Sequence, residues 1–360
     1  MKFLRLAFYV LIAQLVLSGC AGEGVEETSS SSSSEINFDA YVGRNASTRS
    51  DITDIDFLRS GEWNAGFGVF ARYGNTHLMD TEHVTWRGDH WGYDHIRFWP
   101  SEGSVDFYAF APYSPYVTMG CLPDSLVWQD KKISPDTYID FPSNTSPVDL
   151  IWNNQPGKTA PTSPADSRKV KFQFKHALAR LSFDITANQE LLEDGTVITV
   201  KEVRLYGASE TSGIFRMAGF LNLKTGDWIP YNNGFSWFYT WTPTGKVDGK
   251  DDEQLKKDGP VYKLTASQLD DKTHSITNEA DSYIFIIPQP KPANFNLKII
   301  YTVKQGDFQE DVTVKKDLLK VFPSGDDSKP FIEGGKAYVF HLKLLDPINF
   351  DVKAKVEDWK

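Results

Sequence analysis

Four histidines, His77, His83, His90 and His95, stand beside Asp80, Glu82, Asp89 and Asp94 in the stretch HLMDTEHVTWRGDHWGYDH, residues 77–95. Imidazole nitrogens and carboxylate oxygens together are the donor set of a divalent metal site. Their spacing fits neither the step that aligns ligands on one helix face nor, for all four, the two-residue step of a strand. A polar hairpin anchored by Trp86, Trp91 and Tyr93 accounts for the segment more simply, and the sequence leaves metal binding there open. His176, in FKHALARL, has Ser182 and Asp184 downstream, the residue types of base, nucleophile and orienting acid. Positions that step along one strand do not by spacing alone put a base within reach of a nucleophile, so a structural histidine is expected. GFGVFA, residues 66–71, imitates a glycine-rich phosphate loop, but it lies inside an alternating strand pattern and no helix follows to meet the phosphates. Among 48 acidic residues no opposed pair suggests glycosidase chemistry. The chain is expected not to be an enzyme and to require no cofactor.

The elements that carry these residues read as strands. GFGVFARY (66–73), VDFYAFAPY (105–113), VKFQFKHALARLSFDIT (170–186), KEVRLYG (201–207), SYIFIIP (282–288), FNLKIIYTV (295–303) and KAYVFHLKL (336–344) alternate apolar and polar positions and are rich in aromatic and β-branched residues. Turn-forming clusters such as SEGS, NNQPG, KTGD, KQGD and PSGDD separate them. The pattern predicts an all-β protein built from sandwiches, with at most short helical stretches near 267–271 or 315–321. The Pro- and Ser-rich run NNQPGKTAPTSPADSRK, residues 153–169, is the expected boundary between a domain at 36–167 and another at 168–346. The charged run at 242–259 reads as a long exposed loop.

The chain begins with Lys2 and Arg5 ahead of AFYVLIAQLVL, residues 7–17. That run is shorter than the roughly 20 apolar residues a spanning helix needs, so residues 1–19 read as an export signal. Its end, Leu17 to Cys20, resembles the lipobox of bacterial lipoproteins, which implies acylation of Cys20 and an outer-membrane lipid anchor. Residues 20–35, acidic and then serine-rich, read as a flexible tether. The sequence has two cysteines, so with Cys20 acylated Cys121 has no partner for a disulfide, and stability must come from burial. The net charge of −10, with no basic cluster, argues against nucleic acid as a partner.

Both chain ends carry the same pattern. In INFDAYV, Ile36, Phe38, Ala40 and Val42 face one way; in INFDVKAKV, Ile348, Phe350, Val352, Ala354 and Val356 do the same. A polar loop holding Arg44 and Arg49 follows the first of these segments.

The ordered series GFGVFARY, FWPSEGSVDFYAFAPY, VDLIWN, FQFKHALARLSFDI, IFIIPQP, IEGGKAYVFHLKL and INFDVKAKVEDW resembles the fimbrillin family of Bacteroidetes from about Ile36 to Trp359. The resemblance implies two tandem transthyretin-like β-sandwich domains with an appended C-terminal strand, residues 347–360, and a non-enzymatic pilus subunit at the outer-membrane surface. It further implies that an arginine-specific protease cuts near the N-terminus. The cut frees the first strand, and the C-terminal strand of a neighbouring subunit takes its place. On this sequence Arg49 fits the processing position, with Arg44 as competitor. Ile36, Phe38, Ala40 and Val42 fall on the removable strand, and Ile348, Phe350, Val352, Ala354 and Val356 on the donor. The alternative is a monomeric surface lipoprotein that binds glycans through aromatics such as Trp86, Trp91 or Trp237.

Overall fold

In the central strands of the first sheet, both faces are apolar. β2 (Phe67–Tyr73) and β5 (Val105–Ala111) turn Phe67, Val69, Phe107 and Ala109 to one core and Phe70, Tyr108 and Phe110 to another. Strands covered on both sides lose polar alternation, which is why these two read as nearly continuous apolar runs. The computed structural model describes residues 34–43, 53–120, 137–142, 148–163, 168–231, 236–247, 259, 261–264, 267–275, 284–322 and 330–359. The export signal, most of the tether, Cys20, Arg44, Arg49 and Cys121 lie outside the described residues.

The other strands of the first half are β1 (Phe38–Val42), β3 (Thr76–Trp86), β4 (Trp91–Gly92), β6 (Tyr138–Pro142), β7 (Ile151–Lys158) and β8 (Val170–His176). Seven of these eight form one sheet in the order β1-β8-β7-β5-β2-β3-β4. A single helical turn, α1 (Ile55–Leu58), starts where the Asp54 carboxylate accepts a hydrogen bond from the Phe57 amide at 2.8 Å and buries Leu58 in the core of this sheet.

The second half contributes β9 (Ala179–Ala187), β10 (Val197–Tyr206), β11 (Phe215–Arg216), β12 (Ala218–Asn222), β13 (Trp228–Pro230), β14 (Ser236–Trp237) and β15 (Tyr239–Thr242). These are followed by β16 (Val261–Lys263), β17 (Gln268–Leu269), β18 (His274–Ser275), β19 (Ile284–Ile286), β20 (Asn296–Gln305), β21 (Phe308–Asp317), β22 (Lys336–Asp346) and β23 (Asn349–Asp358). One sheet runs β16-β15-β10-β20-β21 and carries β17 on β10; a second runs β18-β9-β22-β23 and carries β19 on β9. Their inward side chains, among them Phe183, Trp241, Phe295, Tyr301 and Phe340, form one core between the two sheets.

Three sequence expectations need correction. The run 170–186 is two strands in different sheets: β8 belongs to the first sheet, β9 to the second, and the chain crosses between them at Ala177–Leu178. The passage from one sheet to the other thus follows the Pro- and Ser-rich run, and β6 from the first half pairs with β12 from the second. NNQPG does not make a free turn; it lies within β7, where Gly157, at φ +65°, donates its amide to Asp106 at 2.7 Å. The stretch at 267–271 holds β17 instead of a helix, whereas 315–321 does contain a short helical turn, of the 3-10 kind, at Leu318–Lys320.

Candidate functional site

β1 occupies the edge of the first sheet, parallel to β8, with Phe38 opposite Val170 and Val42 opposite Phe174. Alternation sends Ile36, Phe38, Ala40 and Val42 into the core, while Tyr41 is 51% exposed. Just ahead of the strand, residues 34–36 are also held from the other side: the Ile36 amide donates to Arg97 O at 2.9 Å, the Trp99 amide to Ser34 O at 3.0 Å, and Glu35 bridges Phe98. The Tyr93 hydroxyl donates to Ile36 O at 2.8 Å, and burial pushes its pKa up to about 12, so it stays a donor across the physiological range. Phe38 fills an aromatic box, with ring centroids 5.4 Å from Tyr93, 5.9 Å from Phe172, 6.0 Å from Phe107 and 6.4 Å from Phe67. Burying these four apolar side chains is worth about 5–10 kcal/mol before ordering costs.

At the other end, β23 pairs antiparallel with β22 along its whole length, from Asn349 opposite Asp346 to Asp358 opposite Lys336, and forms an edge. Phe350 and Val352 are buried in the second core, and Ala354 and Val356 are half-buried against it. Ile348 does not share their burial; it sits in the β22–β23 turn, 73% exposed, and its amide donates to Asp346 Oδ1 at 3.0 Å. The outer face carries Lys353, Lys355 and Glu357, all exposed. The strand that the resemblance casts as donor is thus seated in its own subunit.

Beyond β23, Trp359 turns back under the crossover. Its amide donates to Gly335 O at 2.8 Å, and the Gly335 amide donates to Leu178 O at 2.8 Å. The indole lies against the His176 imidazole, with centroids 3.8 Å apart and planes within 6°. His176 Nδ1 pairs with Asp149 Oδ1 at 2.8 Å, the Thr53 amide donates to Asp149 Oδ2 at 2.9 Å, and the Thr53 hydroxyl donates to Asp149 O at 2.6 Å. All four residues are buried.

A family model described as fimbrillin-like matches residues 48–359, from just after β1 through Trp359. The chain belongs to the fimbrillin-like family. It is 30% identical over 373 residues to fimbrium subunit Fim1C of Phocaeicola vulgatus, covering 97% of this chain and 95% of that one. A crystal structure of a fimbrial protein from Bacteroides vulgatus superposes with a TM-score of 0.59 at 18% identity, over 91% of this chain and 99% of that one, and shares the fold.

The other candidates in this fimbrillin-like chain are drawn into separate structural roles. His77 pairs with Asp80 at 3.2 Å, His95 with Glu82 at 3.1 Å, and His90 with Asp89, while His83 stacks on Tyr113 and bonds Ala65 O at 2.7 Å. Among the described residues no three His, Cys, Asp or Glu side chains converge on a possible metal position. His176 has Asp149 as its acid, and Asp184 instead pairs with His341 at 2.7 Å, so the Ser182–His176–Asp184 set does not assemble. GFGVFA forms the buried middle of the first sheet, and a Cβ at Gly68 would sit 2.4 Å from the Phe110 ring. Trp91 is buried and Trp86 packs edge-on against it at 5.3 Å, so Trp91 cannot stack on a sugar. The Thr53–Asp149–His176–Trp359 contact was missed because its members are far apart in sequence. The signal available was weak: a histidine on the apolar parity of a strand, and a tryptophan at the end of the last one.

Proposed function

We propose that this chain is a structural subunit of a surface pilus, exported as a lipoprotein through Cys20 and assembled at the outer membrane by strand exchange. Cutting at Arg49 frees the segment that contains β1, and the C-terminal strand of a neighbouring copy fills the slot that β1 leaves. The observation that carries this reading is β1 itself. Four buried side chains attach a short edge strand to the core, so its loss leaves an apolar slot flanked by the unpaired edge of β8. Such an edge is relieved by adding a strand, which restores main-chain pairing and side-chain burial together. The identity with Fim1C supports the role of fimbrial subunit.

β23 must leave β22 to serve a neighbour, and it gives up burial of Phe350 and Val352 in doing so. Burial in the neighbour's slot offsets that loss, so the exchange trades one edge for another instead of creating new apolar surface. The contact is head-to-tail and grows an open fibre rather than a closed ring. In this reading the subunit performs no chemistry of its own.

The test has two parts. N-terminal sequencing of protein taken from the cell surface should find a start at Ser50, and deletion of residues 347–360 should abolish the multimer ladder in unboiled samples. Polymers that persist after the deletion would overturn the donor assignment.

A further inference from the structure

The Asp149–His176 pair needs an explanation, because the Asp149 side chain has no exposed surface and that of His176 only 6%. Burying such a pair costs desolvation that is recovered only when the remaining lone pairs and protons are also satisfied. On the acid both are met: one Asp149 oxygen is engaged by His176 Nδ1 and the other by the Thr53 amide. The pair joins three separate pieces of chain. Thr53 opens the described body after the arginine loop; Asp149 precedes β7; and His176 ends β8, two residues past the last pairing with β1, Phe174 to Val42. One face of the imidazole is taken by Trp359, the residue that follows β23.

We infer that Trp359 is a latch, held by the Thr53–Asp149–His176 relay, which couples the seating of the C-terminal strand to that of the N-terminal one. The inference rests on the strand-exchange reading and extends it to the timing of donor release. β8 is the common element, since it pairs with β1 along its length and carries the imidazole that supports the indole at its end. Loss of β1, or displacement of Thr53 when the chain ahead of it is cut, loosens His176 and with it the tip of β23. A subunit whose N-terminal strand is still in place keeps its donor docked, and one that has lost it presents the donor. Coupling of this kind is reciprocal, so unseating Trp359 loosens β1 by the same factor. Gly335 adds the backbone half of the latch, linking the Trp359 amide to the crossover at Leu178.

Hydrogen–deuterium exchange on the full chain tests this, with peptides covering 36–43 and 349–359 and a control in β20. Trp359→Ala should speed exchange at 349–359 about tenfold and at 36–43 several-fold, with β20 unchanged; Trp359→Phe should restore most of the protection. Faster exchange at 349–359 alone would make Trp359 a local anchor and overturn the coupling. If β20 also speeds up, the variant has unfolded and Thr53→Val decides, because it removes one hydroxyl at the far end of the relay with little change in volume. It should speed exchange at 349–359, and no change there overturns the latch. The readout is independent of polymerisation. Pili that form without residues 347–360 would remove the strand-exchange reading and leave this coupling standing, whereas unchanged exchange in a polymerising chain would remove the latch alone.

Discussion

The rings of Phe38 and Phe172 stack at 5.9 Å across the parallel pairing of β1 and β8, so the first strand is fastened to its neighbour by side chains as well as by its backbone. Truncating Phe38 to alanine removes the centre of that box and should cost about 3–5 kcal/mol, the range for a buried phenylalanine. Tyr41→Ala, on the exposed side of the same strand, should stay within about 0.5 kcal/mol. Urea unfolding followed by tryptophan fluorescence compares the two, and equal losses would mean that the inward face of β1 contributes nothing special.

Ile348 and Phe350 separate stability from assembly. Phe350→Ala should destabilise the isolated subunit by about 3–5 kcal/mol. Ile348→Asp, at an exposed turn position, should leave the unfolding midpoint unchanged within about 0.5 kcal/mol. Under strand exchange, Ile348 is the residue waiting for the neighbour's Ile36 position. Ile348→Asp should therefore thin the multimer ladder without touching the monomer, and an unaffected ladder would take Ile348 off the donor face.

Glu210 gives a pH signature. Hydrogen bonds from Lys298 and Lys315, at 2.6 and 2.7 Å, hold its pKa down to about 2 from an ordinary 4.5. A depressed carboxylate contributes stability that is present above the unfolded value and is lost as pH falls through the folded one. Unfolding free energy should therefore decline between about pH 4.5 and about pH 2, and Glu210→Gln should flatten part of that slope. The group is about one-third exposed, so solvent screening keeps the effect small. An identical acid limb in wild type and variant would show that the lysines do not hold the carboxylate.

The histidine stretch at 77–95 predicts indifference to metal. Each of His77, His90 and His95 has its own acid partner. Zinc or a chelator should then leave the melting temperature where it was, and a zinc-dependent rise abolished by His77→Ala and His95→Ala together would contradict the separate pairings.

The all-β class and the identity of most strands could be read from alternation, because half-buried strands must show it. The crossover was harder. In 170–176 the apolar set is Val170, Phe172 and Phe174, on even numbers; in 179–187 it is Ala179, Leu181, Phe183 and Ile185, on odd ones. The shift of parity at Ala177–Leu178, both buried, marks the change of sheet. The inward face of β1 was legible for the same reason as the strands, whereas the exposure of Ile348 was not, because a tight turn breaks alternation before β23 begins. The relay from Thr53 to Trp359 was not legible, since nothing local in sequence ties a threonine to a tryptophan at the opposite end of the chain.

Pairing β1 with β8 has a consequence for the order in which the molecule is made. β1 has no strand partner until β8 follows it, and closing so long a loop is slow compared with forming the hairpins between. Loop closure alone therefore predicts that β1 seats after those hairpins. On that order, its removal undoes a late step of folding and leaves the hairpins beneath it standing.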